Sequence, residues 1–420
     1  MNILLIEPSF KKSEKAYPLG LAQLGAVLKA RGHKVFGVDL SFNGTEEVKK
    51  LISDEGIGMI NVSAASYGIS LICYSLKSVL PLCREIKKSF PSLPIIVNGP
   101  FAEIFKDGLL KEYRDCFDQV ISGQSTPDNT IFADRELFPL EKYQGMFTKR
   151  KRYTQVITSI GCNRRCSYCP EPALNHCWQG RPVKNVIEEL KLIADKYRME
   201  EFHIEDANFF GGGTKRVKEF CRELAGSGLK MSWQCPNGIP PQDIDDLDVF
   251  SDMAKAGCYS ICLSVETFDR GLQRSMGKEC ESSMLKRIVD AARKEGIEVS
   301  GYFMIGLPGQ GLLSIKKDIK LSRNIGFDFI NYTIFYPYPG SLWYSQYAKG
   351  MNIGEIFKND GYTPELGIDV LKRQRAKAYL LNSFRFRTLK FAAKSFLQVK
   401  LPLRFLRRVT SCIFDLDLKY

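Results

Sequence analysis

Residues 160–172 read IGCNRRCSYCPEP and place three of the chain's thirteen cysteines at Cys162, Cys166 and Cys169. Three readings compete for them. Disulfides need an oxidising compartment, but the N-terminal MNILLIEPSF runs straight into an apolar strand with no basic leader or cleavage site. A cytoplasmic location is therefore expected, and with it reduced thiols. A closed zinc site normally takes two ligand pairs, and the next candidates, His176 and Cys177, sit on a polar loop. An iron–sulfur cube fits better: CxxxCxxC spacing supplies three corners of a [4Fe–4S] cluster and leaves one iron open for a small molecule.

Working outward, 420 residues suffice for two or three cores, since single domains run to ~100–200 residues. The composition, 44% hydrophobic and 25% charged, is that of a soluble globular chain. The uncharged run 56–76 is long enough to cross a bilayer, but Asn61, three glycines and several serines make it strand, loop and helix start. Of the net charge of +13, twelve charges lie in residues 371–414, which contain no Asp or Glu. The basicity is thus a property of the C-terminal tail.

The first ~125 residues alternate apolar runs (NILLIEP, KVFGVDL, GMINVSA, PIIVNGP, FDQVISG) with helical patterns, as in a doubly wound, Rossmann-like parallel sheet. Ligands of such sheets sit beyond the carboxyl ends of the strands, which places Ser9, Ser63, Asn98, Gly99 and Gly123 at a crevice. The glycines there also suit tight turns. Residues 126–150 have weak periodicity and two prolines and read as a linker. From residue 151 to about 350 six further strands alternate with helices, as in a partial (β/α)6 TIM-type barrel, with the three cysteines after its first strand. Residues 351–420 form a basic, helical tail in which Lys and Arg alternate with Phe384, Phe386, Leu389 and Phe391. Such a helix packs on the barrel, or meets an anionic membrane surface or nucleic acid. No nucleic-acid-binding module is recognisable in it.

The cysteine triplet with Tyr168 before its last member resembles the signature of the radical SAM superfamily, and the next ~180 residues resemble that family's barrel. The resemblance implies that Cys162, Cys166 and Cys169 hold a [4Fe–4S] cluster whose open iron binds S-adenosylmethionine (SAM). It implies cleavage of SAM to a 5′-deoxyadenosyl radical, with the cofactor supplying the chemistry and the protein the positioning. Tyr168 corresponds to an aromatic beside adenine. IEDANFF (204–210) puts Asp206 near the methionyl end, LSVETFD puts Glu266 at the ribose, and GYFMIGLPGQ brings Ile305 and Gly306 to adenine. The residues alone also allow plainer roles: Asp206 as a helix cap, Glu266 as an ion-pair partner, Tyr168 as core.

Residues 1–125 resemble the cobalamin-binding domain that precedes many such barrels, with YPLGLAQLGAVLKARGHKVFGVDL the closest stretch. Ser63, Asn98, Gly99 and Gly123 would then face the corrinoid. Three features depart from that branch: Asn98 stands where a glycine is usual, the segment after VISGQS is short, and Ser41 occupies the position of an axial histidine. The resemblance implies methyl transfer to a small biosynthetic intermediate, with an external one-electron reductant. A cobalamin-independent dehydratase, epimerase or cyclase, and a non-enzymatic iron–sulfur redox protein, are the rival readings. The last has no use for the SAM-like segments around Glu266 and Gly306.

Overall fold

The computed structural model describes residues 1–8, 16–64, 69–121, 131–143, 145, 148–174, 177–348, 350 and 365–383. Within it the chain divides into two compact units that meet in sequence between Gly145 and Met146.

In the first unit β1 (Asn2–Glu7), β2 (Lys34–Asp39), β3 (Met59–Ser63), β4 (Ile95–Asn98) and β5 (Gln119–Ile121) form one sheet in the order β2-β1-β3-β4-β5. Every pairing is parallel. Helices α1 (Leu19–Ala30), α2 (Thr45–Asp54), α3 (Ile69–Ser89), α4 (Pro100–Ile104) and α5 (Lys106–Glu112) connect the strands. Ile3, Leu4, Leu5 and Ile6 are all fully buried, so β1 is covered on both faces, which is why it reads as a continuous apolar run. The strand order reverses between β1 and β3, where Glu7 and Ser63 end their strands side by side.

The stretch expected to be a linker is instead part of this unit. Within 131–143, Leu137, Phe138 and Tyr143 are buried, Tyr143 Oη donates to Asp39 at 2.9 Å, and Gln23 Nε2 donates to the Ile131 carbonyl at 2.7 Å. An irregular apolar strap has no helical or strand period, so its burial left no pattern in the sequence.

The second unit holds β6 (Tyr153–Val156), β7 (Ser159–Ile160), α6 (Glu171–Leu174), β8 (Gln179–Gly180), α7 (Val183–Tyr197), β9 (Glu201–Ile204), α8 (Gly213–Gly226) and β10 (Ser232–Ile239). It continues with α9 (Val249–Lys255), β11 (Cys258–Glu266), α10 (Arg270–Met276), α11 (Ser282–Lys294), β12 (Glu298–Ile305), α12 (Leu312–Ile325), β13 (Phe329–Ile334), α13 (Leu342–Tyr347) and α14 (Ile368–Ser383). Strands β6, β9, β10, β11, β12 and β13 pair in chain order, all parallel, into a six-stranded partial barrel. The outward residues Phe202 and Trp233 stack at 5.9 Å and meet Phe220 of α8, which fixes that helix against the strands.

Residues 368–383 of the expected tail belong to the barrel unit. Leu371 is fully buried, the Tyr379 hydroxyl accepts from the Tyr332 amide at 3.1 Å, and Asn382 Nδ2 donates to Tyr332 Oη at 3.3 Å. The basic stretch from residue 384 onward, including Phe384, Phe386, Leu389 and Phe391, lies outside the described residues.

Candidate active site

The cysteine loop begins where β7 leaves its short antiparallel pairing with β8. A turn between the last two cysteines is closed by Cys169 N donating to the Cys166 carbonyl at 3.0 Å. The loop is stitched to two helices: Ser167 N and Oγ donate to the Met276 and Ser275 carbonyls, and Trp343 N donates back to the Ser167 carbonyl at 2.9 Å. Below it the Trp178 ring lies across Gly211, where a Cβ would stand 2.3 Å from the indole, and its Nε1 donates to the Asn208 carbonyl at 3.0 Å. Only glycine leaves room for that ring.

All three cysteines are free thiols. Burial pushes the Cys162 thiol up, and the Arg164 amide (3.4 Å) and the Asn208 side chain, both donating to its sulfur, pull it back. Burial likewise raises Cys166, against the nearby Lys278 ammonium, and drives Cys169 to about 12, against the Glu171 amide. The N–H donors and the Lys278 ammonium act toward the thiolate that binds iron, while burial keeps the net direction at all three sulfurs upward. Among the described residues no three His, Cys, Asp or Glu side chains converge on a point as a single metal ion requires. A cube takes its thiolates at separate corners, and three free cysteines in one loop are the donor types for three of them.

Tyr168 and Glu266 meet. Tyr168 Oη donates to Glu266 Oε1 at 2.9 Å, and Lys278 Nζ binds the same carboxylate oxygen at 2.8 Å and the phenol oxygen at 3.0 Å. The pair is dry, with the Lys278 and Glu266 side chains 3% and 8% exposed. Glu266 has φ +70°, a left-handed conformation uncommon in residues other than glycine, just where β11 slips register against β12. The Tyr168 ring lies on a cluster of Leu272, Met276, Leu307, Phe335 and Trp343. Lys278 gave no signal in the sequence, because a lysine after a Met-Gly helix end reads as solvated surface.

Asp206 is 2% exposed, and its carboxylate accepts from the Thr158 amide (2.6 Å), the Thr158 hydroxyl (2.5 Å) and the Ser159 hydroxyl (2.6 Å). Burial pushes its pKa up and those donors draw it down. The side chain thus ties β9 to the chain entering the cysteine loop. Ile305 is fully buried at the end of β12, and Gly306 follows at φ +79°, its amide donating to Gln310 Oε1 at 2.8 Å. A Cβ on Gly306 would stand 2.4 Å from Leu371.

Asp318 was also missed. It accepts from the Thr267 hydroxyl (2.6 Å), the Phe268 amide (2.8 Å) and Gln310 Nε2 (3.0 Å), so one buried carboxylate fixes the loops that leave β11 and β12. Burial raises its pKa to about 6 against these donors. In sequence it is a lone acid in a helix with three apolar-facing turns, indistinguishable from a solvated one.

In the first unit Ser63 is buried at the end of β3, and Asn98 and Gly99 (φ +115°) end β4. The Asn98 carbonyl accepts from the Ala64 amide at 2.6 Å. Gly123 and Ser9 lie outside the described residues. Sequence reading missed the buried acids beside Ser63. Glu7 is pushed well up by burial and by Asp39, with Ser63 bonding to it, and Asp39 holds the Ser41 amide and the Tyr143 hydroxyl.

A parallel partial barrel with a three-thiol loop at its strands' carboxyl ends defines an iron–sulfur enzyme class. Residues 156–321 match the family model of the radical SAM superfamily, a family that implies a [4Fe–4S] cluster and SAM as cofactors. An uncharacterized methyltransferase of Pyrococcus horikoshii is 23% identical over 84% of each chain. The cytidylyl-2-hydroxyethylphosphonate methyltransferase of Streptomyces wedmorensis is 26% identical over 49% of this chain and 39% of its own. Among solved structures, the radical SAM methyltransferase TsrM of Kitasatospora setae, with cobalamin and a [4Fe–4S] cluster bound, superposes with a TM-score of 0.66 at 15% identity, covering 83% of this chain and 78% of its own. That similarity extends the shared fold across both units.

Proposed function

We propose that the protein is a cobalamin-dependent radical SAM methyltransferase acting on a small biosynthetic intermediate, with an external one-electron reductant. The observation that supports it most is the loop of three free thiols, Cys166 buried and Cys162 and Cys169 half-buried, with donors directed at their sulfurs. When bound, the cluster and SAM supply a 5′-deoxyadenosyl radical, and a corrinoid supplies the methyl group.

The chain's own residues do the positioning. The dry Tyr168–Glu266–Lys278 triad presents a carboxylate beside the cysteine loop, where a ribose hydroxyl would bond to it. Gly306 follows β12 at the place proposed for adenine, with the Ile305 side chain on the outward face of that strand, and Asp318 holds the loop through Gln310. Asp206 acts at one remove, by fixing Thr158 and Ser159 at the strand exit. In the first unit Ser63, Asn98, Gly99 and Gly123 are the residues proposed to face the corrinoid. The domain boundaries fit this reading: residues 1–145 as the corrinoid-binding unit, then the barrel with α14.

No helix among the described residues is long and apolar enough to cross a membrane. The reading places the enzyme in the cytoplasm, with the basic residues after 384 meeting anionic lipid; binding to phosphatidylglycerol vesicles but not phosphatidylcholine vesicles tests that contact.

The central test is anaerobic reconstitution with iron and sulfide followed by dithionite and SAM. 5′-Deoxyadenosine is expected from the wild type and not from Cys166→Ala; cleavage by the variant would remove the cluster assignment. A hydroxocobalamin band that stays with the protein through gel filtration is expected. Its loss would leave a cobalamin-independent dehydratase, epimerase or cyclase.

A further inference from the structure

The charge of the barrel interior is a separate observation. None of the six barrel strands contains a Lys or Arg, in a chain that holds 60 of them. Exposure alternates along β12: Val299, Gly301, Phe303 and Ile305 are buried, with Phe327 against Gly301 and Phe268 against Phe303, while Ser300, Tyr302 and Met304 are half-buried. The second set faces inward, and inward residues of neighbouring strands bond to one another. His203 bonds to Gln234 at 2.8 Å, Gln155 Nε2 donates to Glu205 Oε1 at 3.0 Å, and Asn237 Nδ2 lies 3.4 Å from Glu205 Oε2.

Asn237 reaches inward because β10 slips register against β11 between Cys235 and Gly238, a bulge that re-aims its side chain. Tyr302 Oη donates to the carbonyl of Pro236 in the same bulge at 3.2 Å. The interior here is thus a ring of amides, His203 and a phenol around Glu205, with a second buried carboxylate, Glu201, bonded to His203 at 2.9 Å. Four cations near the mouth are already engaged: Arg164 by Asp243, Arg181 by Glu189, Lys278 by Glu266 and Arg216 by the Thr158 and Arg181 carbonyls.

We propose that this ring is a substrate subsite for a hydrogen-bond donor, an amine or hydroxyl group, anchored by Glu205, and that it rejects phosphate, phosphonate and carboxylate groups. The inference rests on the radical SAM reading above and deepens it by naming the chemistry of the group held under SAM. A buried anion needs a compensating partner, and the ring provides only amides and His203. An ammonium entering it would supply the missing charge, and a hydroxyl would supply a further donor. An incoming anion would meet Glu205 at close range with no cation on any strand to offset it. Burial pushes the Glu205 carboxyl up, as expected of a group whose charge is undercompensated, and His203, Gln155 and Asn237 hold it back.

The test uses the full reconstituted chain saturated with SAM and two probes small enough to enter the barrel, ethanolamine and 2-hydroxyethylphosphonate, read by saturation-transfer NMR. Ethanolamine should show transfer and the phosphonate none. Glu205→Gln should cut the ethanolamine signal at least fivefold at an unchanged melting temperature. Asn237→Ala, on the half-buried bulge, is the second variant and should weaken the same signal. Competition by the phosphonate, no ethanolamine binding, or an ethanolamine signal indifferent to both variants would each overturn the subsite. The radical reading is tested apart from this by substrate-free 5′-deoxyadenosine formation, so the two can fail separately.

Discussion

Glu266 shows how a single residue combines strain and charge. Its left-handed φ turns the carboxylate off the end of β11 and into the reach of Tyr168 and Lys278. Because Lys278 and Glu266 are both buried, removing one partner leaves an uncompensated charge, a loss of about 3–5 kcal/mol. Lys278→Met is therefore expected to lower stability by that order in urea unfolding of the metal-free chain. Glu266→Gln, which keeps the shape and one acceptor oxygen, should weaken SAM binding by equilibrium dialysis at least tenfold. The sequence indicated Tyr168 and Glu266 separately, through motif resemblance. It did not indicate Lys278, because charge pairing between residues 12 apart across a turn has no periodic signature.

At the scale of elements, Asp318 links two strand exits, and its titration has a definite sign. Its folded pKa of about 6 lies above the ordinary 3.8, so the native state holds this proton more tightly than the unfolded chain does. Its contribution is complete below about pH 4 and is lost as pH rises through about 6. Asp318→Asn cannot titrate, so the wild-type-minus-variant stability difference should fall by ~2–3 kcal/mol across that window in pH-dependent urea melts. Gly306 makes a second link, between β12 and α14. Gly306→Ala should cost about 2–4 kcal/mol, through contact with Leu371 and through its positive φ. Adding Leu371→Ala should recover little of it, since truncation opens a cavity and φ stays left-handed. A thermal-melt double-mutant cycle reads both. Parallel pairing was legible because alternating β and α patterns leave few topologies. The cross-links were not, since Asp318 and Gln310 look like any helix acid and loop amide.

For the molecule as a whole, the division into a doubly wound sheet and a partial barrel was visible in residue patterning, while the boundary was misplaced. Leu137, Phe138 and Tyr143 lie in an irregular strap, and only tertiary packing shows them to be core. Tyr143→Phe removes the hydroxyl that serves the buried Asp39 and should cost about 1–3 kcal/mol. Because that bond is internal to the first unit, hydrogen exchange should speed up at β1 and β2 and stay unchanged in β9 through β13. The contact between α14 and β13 has a further consequence. β13 ends an unclosed sheet, and an unpaired strand margin is a template on which another chain can add itself. The Tyr379 hydroxyl, set against the Tyr332 amide, blunts that margin. A chain cut before residue 365 would therefore be prone to polymerise through its barrel, an outcome that light scattering at rising concentration would reveal.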